Sequence, residues 1–215
     1  YWEARKLWGD LLIASRSLMR EVINTTKASP EEKMVILDLV VTYCATLKAK
    51  LRHGPVPVSR ALDYQHLTTP CNALLQNIGQ WLYLHRPNEF VYRNFNDYLN
   101  QMSTIQGGCE RISNTPIPYA YSLLLHRTVG IFCAVYPLLL IHDFGFMTLL
   151  FSIFTTYALL ALDAIATELE DPFGTEDNDL PLNAICNAIE IDLKEMVKDS
   201  LVPTKMTPDA NFRLL

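Results

Sequence analysis

The feature that most constrains this fold is a long stretch of sequence without charge. Residues 144–162 are 19 consecutive uncharged residues, most of them leucine, phenylalanine, isoleucine, threonine or alanine. A transmembrane α-helix needs roughly 20 apolar residues to cross the hydrocarbon core of a bilayer. A second apolar run, 128–141, reaches that length if its helix starts near Ile117. The two runs predict a pair of membrane-spanning helices joined by a turn at 142–145.

A buried helical hairpin in a soluble protein is the alternative, but both runs are apolar on every face, which favours a membrane. No lysine or arginine occurs from residue 128 to residue 193, so the turn between the spans carries none of the 18 basic residues. The positive-inside rule then places this turn outside and the bulk of the chain in the cytoplasm. We therefore predict a multi-pass protein of the cell membrane, either inner or plasma membrane.

The rest of the chain has the apolar periodicity of α-helices and almost none of the alternation of strands. Helices are predicted over residues 3–25, 30–51, 70–85 and 88–112, and another opens at 180–183. Residues 29–32, Ser-Pro-Glu-Glu, form a capping box with proline at the first helical position. The pair Gly107-Gly108 is expected to weaken the fourth helix or to admit another backbone.

These elements predict an all-α integral membrane protein with a large cytosolic helical part. We expect a single domain over residues 1–215. It would comprise cytosolic helices over 1–112, two transmembrane helices over 117–165, and an acidic turn with a C-terminal cytosolic helix over 166–215.

Composition excludes several classes of function. The net charge of −5 argues against a nucleic-acid partner. The five cysteines are odd in number and none has CxxC spacing, so we expect buried, reduced thiols rather than a disulfide framework or a zinc site. The histidines form no ligand pair, and GxSxG, GxGxxG and P-loop motifs are absent. The sequence therefore predicts that the protein is not an enzyme.

Two segments are candidate functional sites. His126 and Arg127 lie in the predicted helix that follows residues 115–118, so they either mark the membrane boundary or face a water-filled path. Six carboxylates lie within residues 168–179, directly after the second span. This acidic segment is a solvated loop, a site for a hard cation such as Ca²⁺, or a turn held by the start of the next helix.

Several motifs are familiar: residues 1–9 (Tyr-Trp-Glu-Ala-Arg-Lys-Leu-Trp-Gly), 107–111, 115–118, 168–174 and 178–183. They resemble the bestrophin family, above all its bacterial branch. The resemblance implies a pentameric ion channel with one axial pore and four transmembrane helices per subunit. Animal members conduct chloride, and charge selectivity varies within the family. We therefore expect a homopentameric channel for chloride or monovalent cations. The alternatives are a secondary transporter and a membrane-anchored scaffold or sensor.

The resemblance also implies roles for particular residues. The first transmembrane helix of this chain would line the pore with Ala120, Leu123, Leu124 and Thr128, with the narrowest ring near Leu124. The alternative is that these leucines pack in the core. In animal members a calcium clasp uses positions that match Glu168, Glu176 and Asp179, so Ca²⁺ is the one cofactor predicted. The expected partners are further copies of the chain, membrane lipid and small ions.

The start of the chain suggests a further expectation. Residue 1 opens directly into helical periodicity without a methionine. Bestrophins carry two earlier transmembrane helices, the second of which bears a hydrophobic gate. We therefore expect a further segment before Tyr1.

Overall fold

The computed structural model describes residues 1–58, 64, 66–115, 118–210 and 214. These residues form seven α-helices and no β-strand, which confirms the predicted all-α class. They divide into two compact units: Tyr1–Asn114 with Phe173–Leu215, and Thr115–Pro172. The helices are α1 (Trp2–Thr25), α2 (Pro30–Leu51), α3 (Pro70–His85), α4 (Glu89–Asn114), α5 (Tyr119–Phe144), α6 (Met147–Glu168) and α7 (Leu182–Met196).

The core of the first unit is built from helix faces with apolar residues at every third or fourth position. Helix α1 packs against α4 and α7, while α2 packs against α3 and α7. On α1 the residues Leu11, Ala14, Leu18 and Val22 are buried, because these positions share one face of a helix. The largest fully buried side chains, which lie on several different elements, are Trp8, Tyr43, Tyr64, Phe95 and Phe173.

Both ends of α2 are fixed by hydrogen bonds that satisfy its terminal backbone groups. At its start, the Glu32 backbone N–H donates to Ser29 Oγ at 3.2 Å, and the Ser29 N–H donates to Glu32 Oε2 at 2.7 Å, which confirms the predicted capping box. At its end, the Gly54 N–H donates to the Ala49 carbonyl at 2.8 Å, as in a Schellman motif. The left-handed residue of that motif is His53, with φ 51°, rather than a glycine.

The residue that caps the C-terminus of α2, Arg52, holds the chain that leads into α7. Its Nε donates to the Phe173 carbonyl and its guanidinium NH2 group donates to the Leu180 carbonyl, each at 3.2 Å. Phe173 and Leu180 are each 1% exposed, so the two carbonyls belong to residues anchored in the core. One arginine therefore joins the two ends of the segment 173–180 to a helix more than a hundred residues earlier in the chain.

The pair Gly107-Gly108 does not interrupt α4, which continues to Asn114. A Cβ atom at Gly108 would lie 2.9 Å from Cδ1 of Leu7, so the glycine makes room for a side chain of α1. The helix is therefore continuous through the glycine pair, and the expected weakening of its last turns stays a prediction. The close neighbour at Gly108 is a side chain rather than another backbone.

The cysteines are free, as the sequence predicted, and most of them are deeply buried. Burial raises the pKa of the Cys71 thiol to about 11 and that of Cys109 to about 12. It also raises the pKa of Cys186 to about 11. Because only the thiolate is strongly nucleophilic, these thiols behave as small apolar side chains of the core.

The second unit is a hairpin of α5 and α6. Helix α5 extends to Phe144 and ends where Gly145, with φ +50°, turns the chain and donates its N–H to the Ile141 carbonyl at 3.1 Å. The turn predicted at 142–145 was therefore placed too early. Glycine adopts this left-handed conformation without a steric cost, which is why the helix ends at that residue.

The hydrogen bonds of Arg52 to the Phe173 and Leu180 carbonyls predict a loss of stability when the guanidinium is removed. Arg52→Ala removes the charged donor from the Phe173 and Leu180 carbonyls, of which the Leu180 carbonyl still accepts the Leu182 N–H at 2.7 Å. The loss of a hydrogen bond from a charged group typically costs about 2 kcal/mol. For a chain of this size that loss lowers the melting temperature by about 4–8 °C. The measurement is thermal unfolding in detergent, with Arg93→Ala, at an exposed arginine of α4, as the control. Equal melting temperatures for wild type and Arg52→Ala would contradict the stabilising role of the Arg52 hydrogen bonds.

Candidate functional site

The predicted pore-lining residues lie in the first three turns of α5, while Ile117 lies outside the described residues. Ala120, Leu124 and Thr128 are four residues apart, so they form one stripe along the helix. All three are exposed, and Leu124 is 63% exposed. The Thr128 hydroxyl donates to the Leu124 carbonyl at 2.7 Å, which turns that polar group back onto the helix. Leu123, beside the stripe, is half-buried.

The exposure of these side chains argues against the alternative that Leu123 and Leu124 pack in a core within this chain. None of the described residues of α5 is buried within this chain. The face that contains Ala120 and Leu124 is therefore available to lipid, to water or to another copy of the chain. The pore-lining role of the four residues stays a prediction.

The hairpin is long and apolar enough to cross a membrane. Helices α5 and α6 have 26 and 22 residues, with mean hydropathies of 1.8 and 1.9 in their most apolar stretches. Those stretches are 0% and 6% buried in the chain. Helices that form the core of a soluble protein are mostly buried, so this exposure favours contact with a bilayer over the soluble hairpin.

Sequence reasoning missed one polar contact within this hairpin. His126 Nδ1 of α5 lies 3.1 Å from Asp163 Oδ1 of α6, and their side chains are 51% and 24% exposed. Asp163 could have been found from the sequence, because it is the first charged residue after the uncharged run that ends at Leu162. In the described part of the hairpin, Arg127 makes no ion pair even though it is next to His126.

The acidic segment is closed by its own backbone. The Glu176 N–H donates to Asp179 Oδ2 at 2.6 Å, and the Asp179 N–H donates to the Glu176 carbonyl at 3.2 Å. Asp179 is 7% exposed, so its carboxylate is nearly withdrawn from water. Burial lowers the pKa of Arg52, while the charge of Asp179 acts in the opposite direction. The Arg52 guanidinium is thus a fixed positive charge that interacts with Asp179.

The structure places the three predicted calcium ligands in different settings. Glu168 is the last residue of α6 in the second unit, whereas Glu176 and Asp179 belong to the first unit. Among the described residues there is no group of three or more histidine, cysteine, aspartate or glutamate side chains suited to a metal ion. Calcium binding by Glu168, Glu176 and Asp179 stays a prediction.

Comparison with known proteins identifies a family and several relatives of this chain. Residues 1–195 match the family described as Bacterial/Fungal Bestrophin protein. The voltage-dependent anion channel-forming protein YneE of Escherichia coli K12 is 44% identical over 227 residues, which cover 100% of this chain and 74% of that protein. A voltage-dependent anion channel-forming protein of Mesorhizobium japonicum is 36% identical over 223 residues, covering 99% and 71% respectively.

Solved structures give the same result. A bacterial bestrophin homologue from Klebsiella pneumoniae, phased with zinc, has a TM-score of 0.86 and 36% identity, and the match covers 93% of this chain and 78% of that one. A point variant of a bestrophin homologue from the same organism has a TM-score of 0.86 and 38% identity, with 91% and 78% covered. The chain belongs to the bacterial and fungal bestrophin family of membrane proteins.

Proposed function

We propose that this chain is a subunit of a homopentameric anion channel in the cell membrane. The observation that carries the proposal is the hairpin of α5 and α6, which is of spanning length, apolar and unburied. The relatives from Escherichia coli and Mesorhizobium japonicum are named as voltage-dependent anion channel-forming proteins, which supports anions as the conducted species. The homologous solved structures are of membrane proteins in the bestrophin family.

Assembly is part of the proposal because one hairpin cannot enclose a path. Two helices can bury only one narrow seam against each other, whereas identical subunits around an axis enclose a space between them. The exposed stripe of Ala120, Leu124 and Thr128 then faces the enclosed path together with the same stripe of the neighbouring copies. The number five rests on the family resemblance.

The same proposal assigns the sides of the membrane. The tip of the hairpin carries Asp143 and no lysine or arginine, while all basic residues lie before residue 128 or after residue 193. The positive-inside rule therefore puts the tip outside and the helices of the first unit in the cytoplasm. In this orientation the first turns of α5 lie at the cytoplasmic end of the path, where a ring of leucines can act as a hydrophobic constriction.

Two other functions compete with an anion channel. A secondary transporter would move ions far more slowly than a channel and would give no discrete current steps. Secondary transporters also typically contain inverted repeats and broken helices. A membrane-anchored scaffold or sensor would give no ion flux at all. Selectivity for monovalent cations is the remaining alternative within the channel class, and the names of the relatives favour anions over it.

For the acidic segment we propose a structural turn that closes without calcium. The support is that Asp179 already accepts the Glu176 N–H, and that Arg52 supplies a fixed positive charge and donates to the Phe173 and Leu180 carbonyls. A bound Ca²⁺ requires six to eight oxygen ligands, several of them carboxylates. An arginine beside Asp179 opposes such a site by repelling the ion.

The pentamer is tested by native mass spectrometry of the protein purified in mild detergent. Because the exposed face of α5 needs a partner, we expect a dominant species of five subunits that persists on dilution. A second measurement in lipid nanodiscs controls for dissociation caused by the detergent. A monomer or dimer under both conditions would refute the closed ring.

A ring of leucines near the cytoplasmic end predicts that one truncation changes conduction. Leu124→Ala widens the constriction and favours its wetting, so we expect the single-channel conductance to rise by about twofold or more. Leu125→Ala is the matched control, because this neighbouring leucine is also exposed but lies about 100° around the helix. Planar-bilayer recordings of both variants make the comparison. If conductance is unchanged in Leu124→Ala, or changes equally in both variants, Leu124 is not the constriction.

The calcium question is answered by isothermal titration of Ca²⁺ into the purified protein. We expect negligible heat with the wild type and with the double variant Glu176→Gln, Asp179→Asn, because the turn is closed by Arg52 and by its own backbone. Titration of Mg²⁺ controls for nonspecific heats from the acidic surface. A saturable Ca²⁺ signal in the wild type that the double variant loses would show that the segment is a calcium site.

A further inference from the structure

The only histidine–aspartate contact between the two described spans lies near the cytoplasmic end of the hairpin. At 1.5 Å per residue, His126 is about 27 Å along α5 from its end at Phe144, and Asp163 is about 24 Å along α6 from its start at Met147. The hydrocarbon core is about 30 Å thick. Both side chains therefore lie near the inner boundary of the membrane, at the same level of two antiparallel helices.

Charge is scarce at this level of the hairpin. Within two turns of the pair on α5 and α6, the other titratable or charged side chains are Tyr119, Tyr121, Arg127, Cys133, Tyr157 and Glu168. Of these, Arg127 is the only one with a permanent positive charge. Consecutive residues of a helix point about 100° apart, so His126 can face α6 while Arg127 points elsewhere. In agreement with this, Asp163 contacts His126, and the described residues give Arg127 no ion pair.

The pairing of His126 with Asp163 determines how much negative charge an ion in the path experiences at this end of the hairpin. A carboxylate close to hydrocarbon is costly unless it has a partner. His126 at 3.1 Å supplies a hydrogen bond and, in its protonated form, the opposite charge. The paired charges largely cancel at the distance of an ion in the path. Arg127 then contributes a positive charge that Asp163 does not offset.

We propose that His126 is a specificity-determining residue, because it neutralises Asp163 and thereby sets the preference of the conduction path for anions over cations. This inference rests on the proposed channel function. With the pair formed, Asp163 does not oppose the positive charge of Arg127, which favours anions at the inner end of the hairpin. Without His126, the free carboxylate of Asp163 opposes Arg127 and lowers the preference for anions. The role is electrostatic and acts through Asp163, so removing Asp163 as well restores the original balance.

The experiment measures reversal potentials in planar bilayers under a KCl gradient at pH 6, where imidazole side chains are typically protonated. The variants are His126→Ala, His126→Gln, Asp163→Asn and the double variant His126→Ala, Asp163→Asn. We expect either single change at His126 to lower the chloride-to-potassium permeability ratio by about threefold. This is the size of effect that one uncompensated unit charge, several ångströms from the path, has on an ion in water. Asp163→Asn should keep or raise the ratio, and the double variant should return to the wild-type value.

The double variant separates charge from packing. If His126 acted only by supporting the two helices, removal of Asp163 would not restore selectivity, and that result would overturn the proposal. An unchanged ratio in both variants at His126 would overturn it as well. Arg127→Gln provides a further comparison, because it removes the positive charge directly and should lower the ratio even with the pair intact.

Failure of this inference is distinguishable from failure of the proposed function. If the wild type prefers potassium, the anion proposal is wrong, yet the same fall and recovery of the ratio would still support the role of His126. If the wild type conducts chloride and His126→Ala leaves the ratio unchanged, the channel proposal stands and the role of His126 is refuted. A protein that gives no current under any condition would refute both.

Discussion

The structure depends on the constraint that a bilayer offers no hydrogen-bond partner to a peptide group. Each exposed N–H or C=O in hydrocarbon is costly, so a spanning segment forms a helix that satisfies its own backbone. Helices α5 and α6 meet this condition through 26 and 22 residues, with a turn of two residues between them. Polar groups that remain are satisfied locally, as Thr128 does through the Leu124 carbonyl. The exposed apolar surface of the hairpin follows from the same constraint.

The first unit is organised in the opposite way, because its apolar residues face inward. Five helices enclose a core in which Trp8, Tyr43 and Phe95 are fully buried. The return of the chain after α6 is secured by Phe173 in that core and by Arg52, which binds the carbonyls at both ends of the turn. The acidic residues of this segment thus lie on a turn whose shape is set by an apolar anchor and an arginine.

Local signals in the sequence allowed most helices to be predicted within a few residues. The capping box at Ser29 and the prolines at positions 30 and 70 mark the starts of α2 and α3, and apolar stripes mark the buried faces. The tip of the hairpin was misplaced because His142 and Asp143 are polar yet helical, and the decisive residue is Gly145. The Arg52 contacts could not be predicted, since they join residues more than a hundred positions apart without a local pattern. The contact of Asp163 with His126 was not predicted, although Asp163 is the first charged residue after the uncharged run.

The central claim is that copies of this chain form an anion-selective channel, and single-channel recording under a chloride gradient tests it most directly. The account predicts discrete current steps, at rates no transporter reaches, that reverse close to the equilibrium potential of chloride. Replacement of chloride by a large impermeant anion should then abolish the inward movement of anions. A current that reverses at the equilibrium potential of the cation, or the absence of any current from correctly folded protein, would contradict the account.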